Sequence, residues 1–327
     1  MVLAGSIRAW LVCLVFLLSV PKSSFSAENV RVAYPSLSSS VVYLIIAQKE
    51  AFFREEGLNV ELLSIRGEIA IRTALAGEID FFTNAGSALA AAVRGIPVKI
   101  LTLIQDRPGW DLIAQPNIKS ISQLRGGTVA IMSPEGSLAV VTREILRKNG
   151  VDPVKDANLV VMGGDDVRYP ALKGRAIQAT LLNTVASLRA QKEGFHKLAS
   201  AGDYISFIQS GLATTEDKLK QQSPKIARFI RAGLKGLNFF FAKREAAIRH
   251  LMEAVRMKDK ELASAIYDSE VKLMLREAMT DEKQLQPLIE DMKKTTKTQR
   301  EVNATDIFDF SLVRKANEEL KASGWKP

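Results

Sequence analysis

The sequence predicts an α/β fold made of two successive α/β units and closed by a run of helices. Three observations carry that expectation. Short β-rich runs alternate with amphipathic stretches over the first two thirds of the chain, the pattern of βαβ units around a mainly parallel sheet. The 327 residues correspond to about two domains at roughly 150 residues each. From about Thr215 onward, apolar residues recur at three and four positions, which is the helical period.

Taken in order, residues 30–34 are a short β-rich run, and 41–55 have helical character that stops at Gly57. Residues 59–65 alternate as a strand, 67–76 read as a helix, 80–83 as a strand, 87–94 as a helix and 98–105 as a strand. A second unit starts after Trp110 with a strand at 111–114 and a turn of helix at 121–125. It continues with strand 128–132, helix 134–149, strand 158–162, helix 169–174 and strand 179–182. Beyond it, Ser223 is expected to cap a helix that carries Pro224 in its first turn, where the missing N–H has no partner to lose. Ile226, Phe229, Ile230, Gly233, Leu234, Leu237 and Phe240 mark the buried face of that helix. Further helices are expected at 243–255, 259–267, 271–279, 281–294 and 309–323. No repeat of fixed period and no low-complexity tract interrupts them.

Composition narrows the function classes. With 47% hydrophobic and 25% charged residues, 20 Gly and 11 Pro, the chain is neither disordered nor collagen-like. Its one cysteine, Cys13, and two histidines, His196 and His250, leave a Cys/His metal cluster or a cysteine nucleophile without its parts. The nucleophile-elbow, phosphate-loop, dinucleotide and zinc-protease motifs are all missing. His196 lies in the polar segment 191–197 and His250 in a basic helix, so both read as surface residues. An enzyme is not expected, and neither is a metal or a cofactor.

Residues 1–26 read as a secretory signal peptide. Arg8 precedes a 12-residue apolar run over 9–20, too short for a hydrocarbon core that needs about 20 residues. Ser24 and Ser26 supply the small residues for cleavage before Ala27. Cys13 sits inside the run, which argues against a lipid anchor; an uncleaved N-terminal anchor is the alternative reading. The mature protein is expected to be soluble and, in a bacterium, periplasmic. Loss of Arg8 and Lys22, with no acid, takes the 45 basic residues to 43 against 36 acids and leaves a net charge of +7. Acids and bases interleave over 243–297, the pattern of solvated helix faces, and export argues against nucleic acid as a partner.

Three segments carry a family resemblance. Ala51-Phe-Phe-Arg-Glu-Glu-Gly-Leu-Asn-Val60, Ala74-Leu-Ala-Gly-Glu-Ile-Asp-Phe81 and Ser120-Ile-Ser-Gln-Leu-Arg-Gly-Gly-Thr-Val-Ala-Ile131 resemble signature stretches of the exported solute-binding proteins of ABC importers. The likeness is to the branch that binds sulfonates, taurine, nitrate and thiamine-pyrimidine precursors. It implies a type II two-lobed periplasmic binding fold with a ligand cleft between the lobes and a helical C-terminal part. Mapped here, residues 27–105 plus 211–327 would form lobe one and 106–210 lobe two. It further implies capture of a small polar or anionic organic solute by hinge closure, and delivery to an inner-membrane permease by a monomeric protein without a cofactor. An exported sensor subunit is the alternative. A pyrimidine-precursor synthase is a further one, although those enzymes are similar to a pattern with a cysteine-rich iron motif that a mature chain without cysteine lacks.

In open α/β sheets, ligands sit beyond the carboxyl ends of strands, beside helix N-termini. That names the candidate loops. Ser38, Ser39 and Ser40 can cap the next helix or present hydroxyls to a ligand, and one cap needs only one serine. Asn84, Gly86 and Ser87 mark a strand-to-helix turn where small residues let a bound group approach. Ser133, Gly136 and Ser137 open a helix with Pro134 in the first position. Asp165 lies in a Gly-Gly-Asp-Asp turn that can face the cleft, recognise an amine or be solvated. Asn183 follows the last strand of the second unit. Trp110 can cover a flat or apolar part of a ligand or pack the hinge. Arg107 and Arg168 are the cations nearest these loops, available to an anion or solvated.

Overall fold

Strand β1 (Glu28–Tyr34) buries Val30, Val32 and Ala33 and runs parallel to two neighbours, as a strand covered on both faces does. The computed structural model describes residues 27–35, 41–65, 67–132, 134, 137–205 and 208–327. After β1 come α1 (Val42–Lys49) and α2 (Phe52–Glu55), separated by Ala51 at a left-handed φ of 65°. The continuous helix expected over 41–55 is therefore broken. The break turns Phe52 and Phe53 inward, and Phe229 stacks between Phe53, at 5.0 Å, and Phe81, at 4.4 Å.

Then follow β2 (Leu58–Ser64), α3 (Gly67–Leu75), β3 (Phe81–Phe82), α4 (Ala85–Val93) and β4 (Val98–Gln105). The chain next enters the second sheet through β5 (Trp110–Ala114), a single 3-10 turn at Ile121–Leu124, β6 (Thr128–Ile131), α5 (Ser137–Lys148), β7 (Asn158–Val161), α6 (Asp165–Lys173), β8 (Ala179–Asn183), α7 (Thr184–Lys192) and β9 (His196–Ser200). It returns to the first sheet as β10 (Ser210–Thr215). The result is two five-stranded sheets, ordered β2-β1-β3-β10-β4 and β7-β6-β8-β5-β9, with helices on their faces: a two-lobed α/β fold.

Two helices of the second lobe start away from the expected residues. Pro134 precedes α5 instead of opening it, and its carbonyl accepts a hydrogen bond from Arg143 Nη1 at 2.9 Å. Helix α6 starts four residues before the expected 169, which draws Asp165 and Asp166 into its first turn, where acids suit the helix dipole. Strands β9 and β10 are additions to the sequence reading. β9, His-Lys-Leu-Ala-Ser, has no β-branched residue, so propensity does not mark it.

The tail comprises α8 (Glu216–Gln221), α9 (Ser223–Ala242), α10 (Arg244–Ala254), α11 (Lys260–Leu273), α12 (Leu285–Thr296), α13 (Ala304–Ile307) and α14 (Ser311–Ala322). Ser223 is not the cap of α9: it is the first helical residue, with Gln222 before it and Pro224 in the first turn. Helix α9 packs on α1 so closely that a Cβ on Gly236 would lie 2.2 Å from the Tyr43 carbonyl oxygen. Where a helix is expected over 271–279, α11 instead ends at Leu273 and the chain extends along β4. Leu275 N–H donates to Ile104 O at 2.8 Å, and Leu103 N–H to Ala278 O at 2.7 Å. The reason is the edge: β4 is a terminal strand of its sheet, and its unpaired backbone groups take these partners.

Candidate functional site

The strand directions bring both sets of carboxyl ends to one place. β1, β2 and β3 are parallel, and β10 is antiparallel to both β3 and β4, so β4 ends at Gln105 on the same edge as β1 and β3. In the second sheet β6, β7 and β8 are parallel, and β5 is antiparallel to β8 with Trp110 opposite Asn183. Residues 106–109 connect Gln105 to Trp110, so the carboxyl ends of β3 and β8 lie on either side of that short connection. This is the position between two open α/β sheets where a bound group meets helix N-termini.

On the first lobe, Asn84 occupies the N-cap of α4 without capping a backbone N–H; its Nδ2 donates to Ser87 Oγ at 3.0 Å. Gly86 is buried in the first turn, and Thr83 O accepts from Gly211 N–H at 3.2 Å, tying this loop to β10. On the second lobe, the Asn183 side-chain oxygen caps α7 by accepting from Ala186 N–H at 2.9 Å, and Asn183 N–H donates to Asp165 Oδ2 at 3.1 Å. Ser137 is the first residue of α5. Ser38, Ser39, Ser40, Ser133 and Gly136 lie outside the described residues, as does the side chain of Ser137. Trp110 is half-buried and packs against the core of the second lobe.

Arg168 departs from the sequence reading. It is neither solvated nor presented to the cleft: its side chain is 2% exposed. The guanidinium donates to Gly163 O, to Asp165 Oδ1 and, at 3.2 Å, to Leu181 O, while its Nε has no partner. Burial pulls its pKa below the usual guanidinium value, and the Asp165 carboxylate acts in the opposite direction. Asp165 is thus held from both sides, by Arg168 and by Asn183 N–H, and joins the β7–α6 and β8–α7 loops. Arg107 stays exposed with Asp106 at 3.7 Å. His250 is half-buried; its Nε2 meets Glu50 Oε1 at 2.7 Å, and its ring lies 5.9 Å from that of Phe239.

The crossovers are fastened by residues that sequence reasoning did not nominate. Gly109 N–H donates to Gln209 Oε1 at 2.5 Å, and Gly109 O accepts from Thr184 Oγ1 at 3.2 Å. Gln105 Nε2 donates to Glu270 Oε2 at 2.5 Å, which anchors the end of β4 to α11. Pro108-Gly109 marks a turn in the sequence, but nothing local signals its partners, which lie 75 and 100 residues away.

Residues 38–247 match the family described as NMT1/THI5 like. The chain belongs to the NMT1/THI5-like family. The matched stretch takes in every candidate cleft residue from Ser38 to Asn183 and both crossovers. Two curated relatives align with it: YtlA of Bacillus subtilis, 26% identical over 219 residues, which are 62% of this chain and 66% of that protein, and the riboflavin-binding protein RibY of Chloroflexus aurantiacus, 24% identical over 201 residues, 59% of this chain and 56% of that one. The match thus spans less than two thirds of either relative. Among solved structures, the periplasmic aliphatic sulphonate binding protein SsuA of Escherichia coli superposes with a TM-score of 0.70 at 14% identity, covering 85% of this chain and 91% of that chain. At that identity the likeness is one of fold. Asn84 and Ser87 of one lobe, and Asp165 and Asn183 of the other, carry hydrogen-bonding groups beyond the carboxyl ends of their strands. Among the described residues no group of His, Cys, Asp and Glu side chains is placed to hold a metal ion.

Proposed function

We propose that this protein is the exported solute-binding component of an ABC importer. Lobe one (27–105 plus 211–327) and lobe two (106–210) close on a small polar or anionic organic molecule, and the closed form docks on an inner-membrane permease. The observation that supports the reading is the strand topology: the carboxyl end of β3, followed by Asn84, and that of β8, which ends at Asn183 opposite Trp110, flank the connection between the two sheets. A solute touching both lobes makes more contacts in the closed state and so favours it. The serines at 38–40, 133 and 137, with Gly136, complete the proposed site, and membership of the NMT1/THI5-like family supports it. The role is binding without turnover, in the periplasm, after removal of residues 1–26. Among the described residues no helix is long and apolar enough to cross a membrane.

The test is thermal unfolding of residues 27–327 against alkanesulfonates, taurine, nitrate, pyrimidines, riboflavin, carboxylates and amino acids, followed by recovery of the ligand. A solute at 100 times its dissociation constant adds about 2.7 kcal/mol and moves the midpoint by several degrees. A shift with the ligand recovered unchanged supports binding. Conversion of the ligand would replace this reading with an enzymatic one, and no shift from any class would remove the transport assignment.

A further inference from the structure

Away from the cleft, α7 of the second lobe and the turn between α10 and α11 of the first enclose a crevice of about 390 Å³. Its walls carry four cations, Arg189 and Lys192 on α7 and Arg256 and Lys258 on the α10–α11 turn, against two acids, Glu193 and Asp259. Both acids already have partners. Glu193 pairs with Lys173 at 2.9 Å, and Asp259 accepts from Lys192 at 2.5 Å while capping α11 through Leu262 N–H at 3.0 Å. Lys192 also faces Glu261 at 3.9 Å and Arg189 acts on Glu193, but among the described residues Arg189, Arg256 and Lys258 form no ion pair, so these three leave the crevice with an excess of positive charge over a floor of buried Met257 and Leu262.

Helix dipoles account for part of this charge. Arg189 and Lys192 lie in the last turn of α7, where cations are favoured. They do not account for Lys258, which directly precedes Asp259, the N-cap of α11, where positive charge is disfavoured. Nor do they explain why, beside the Lys192–Asp259 pair that joins the two walls, three further cations line the same opening, where like charges repel unless another anion lies between them.

We propose that this crevice binds a small multivalent oxyanion of phosphate chemistry, held by Arg189 and Lys192 of one lobe and by Arg256 and Lys258 of the other. The occupant bridges the lobes at a point distinct from the solute cleft and restrains their relative movement. The inference does not depend on which solute the cleft takes, or on whether it takes one.

Pyrophosphate is the probe, added to the purified protein with sodium chloride at matched ionic strength as the control. The unfolding midpoint should rise by about 2 °C or more above the control. The shift should vanish in Arg189→Gln and in an Arg256→Asn/Lys258→Gln double variant; asparagine is chosen because residue 256 has a left-handed φ of 51°. A Lys321→Gln variant, changed at an exposed lysine of α14 that does not line the crevice, should keep the full shift. No shift above the salt control, or a shift undiminished in the double variant, overturns the site. Loss in the double variant with the full shift kept in Arg189→Gln overturns the bridging of the lobes.

Discussion

Trp110, the first residue of β5, is the antiparallel partner of Asn183, the last residue of β8. That register sets the start of the second lobe beside the N-cap of α7, and Thr184 then bonds the backbone of Gly109 at the crossover. An indole and an amide 73 residues apart in sequence thereby share one end of one sheet.

Replacing Asn84 or Trp110 by Ala is expected to weaken solute binding by about twofold to tenfold, with circular dichroism unchanged, because a hydrogen bond or an aromatic contact is worth about 0.5–1.5 kcal/mol. Unchanged affinity in both variants would displace the site from the end of β3 and the start of β5. Asn183→Ala should differ from both: it removes the side-chain cap of α7 and costs about 1 kcal/mol of stability in urea unfolding, whatever it does to affinity.

Arg168 is expected to be a stability residue, not a ligand contact. Arg168→Met leaves the Asp165 carboxylate without its cation and removes one donor each from Gly163 O and Leu181 O, at a cost of about 3–5 kcal/mol. Asp165→Asn should cost less, because the amide oxygen still accepts from Arg168 or from Asn183 N–H. A double-mutant cycle read by urea unfolding checks the coupling, and additive losses would show that the two side chains do not act as a pair.

Acid should unfold the first lobe through Asp80 and Glu56. Burial raises the Asp80 carboxyl, but Arg31 N–H, Lys225 and Lys218 outweigh it and hold the pKa below the ordinary value. Glu56 is likewise raised by burial and lowered further by Arg231 and Lys235. With the folded pKa below the unfolded one, this stabilisation is complete above about pH 5 and lost as the pH falls through about 4 and below. The unfolding midpoint should therefore drop steeply between about pH 5 and 3. Asp80→Asn should start less stable at neutral pH and show a shallower slope; a slope equal to that of the wild type would exclude Asp80 as a source.

Gly211→Ala should not give a normally folded protein. A Cβ there would lie 2.1 Å from Thr102 O and 3.2 Å from Ala85 Cβ, between β4 and α4, where backbone and not a flexible side chain is in the way. Overpacking of this kind costs about 1–3 kcal/mol or more and should appear as a lowered midpoint or loss of soluble protein.

Local periodicity made much of the fold legible. Strand 98–105 and the apolar face of α9, from Ile226 to Phe240, follow from burial patterns contained in a single element. The strand-to-helix junction at Asn84 follows because caps and turns are local chemistry, whereas α5 starts at Ser137 and not at the expected Pro134, and α7 after Asn183 is an addition to the sequence reading. The α/β class and the loops at the carboxyl ends of strands were therefore determined by the sequence itself. The tertiary structure decided what depends on partners distant along the chain. It made a buried clamp of Arg168, which from the sequence reads as a solvated cation, because Leu181 O and Asp165 converge on it. It ended α11 at Leu273, where the sequence continues helical, because the open edge of β4 needed hydrogen bonds. It placed Gln105 against Glu270, 165 residues away, and Gly109 against Gln209. Such contacts follow from which unpaired backbone and polar groups meet once the sheets have formed, and a burial period read along one segment carries no record of them.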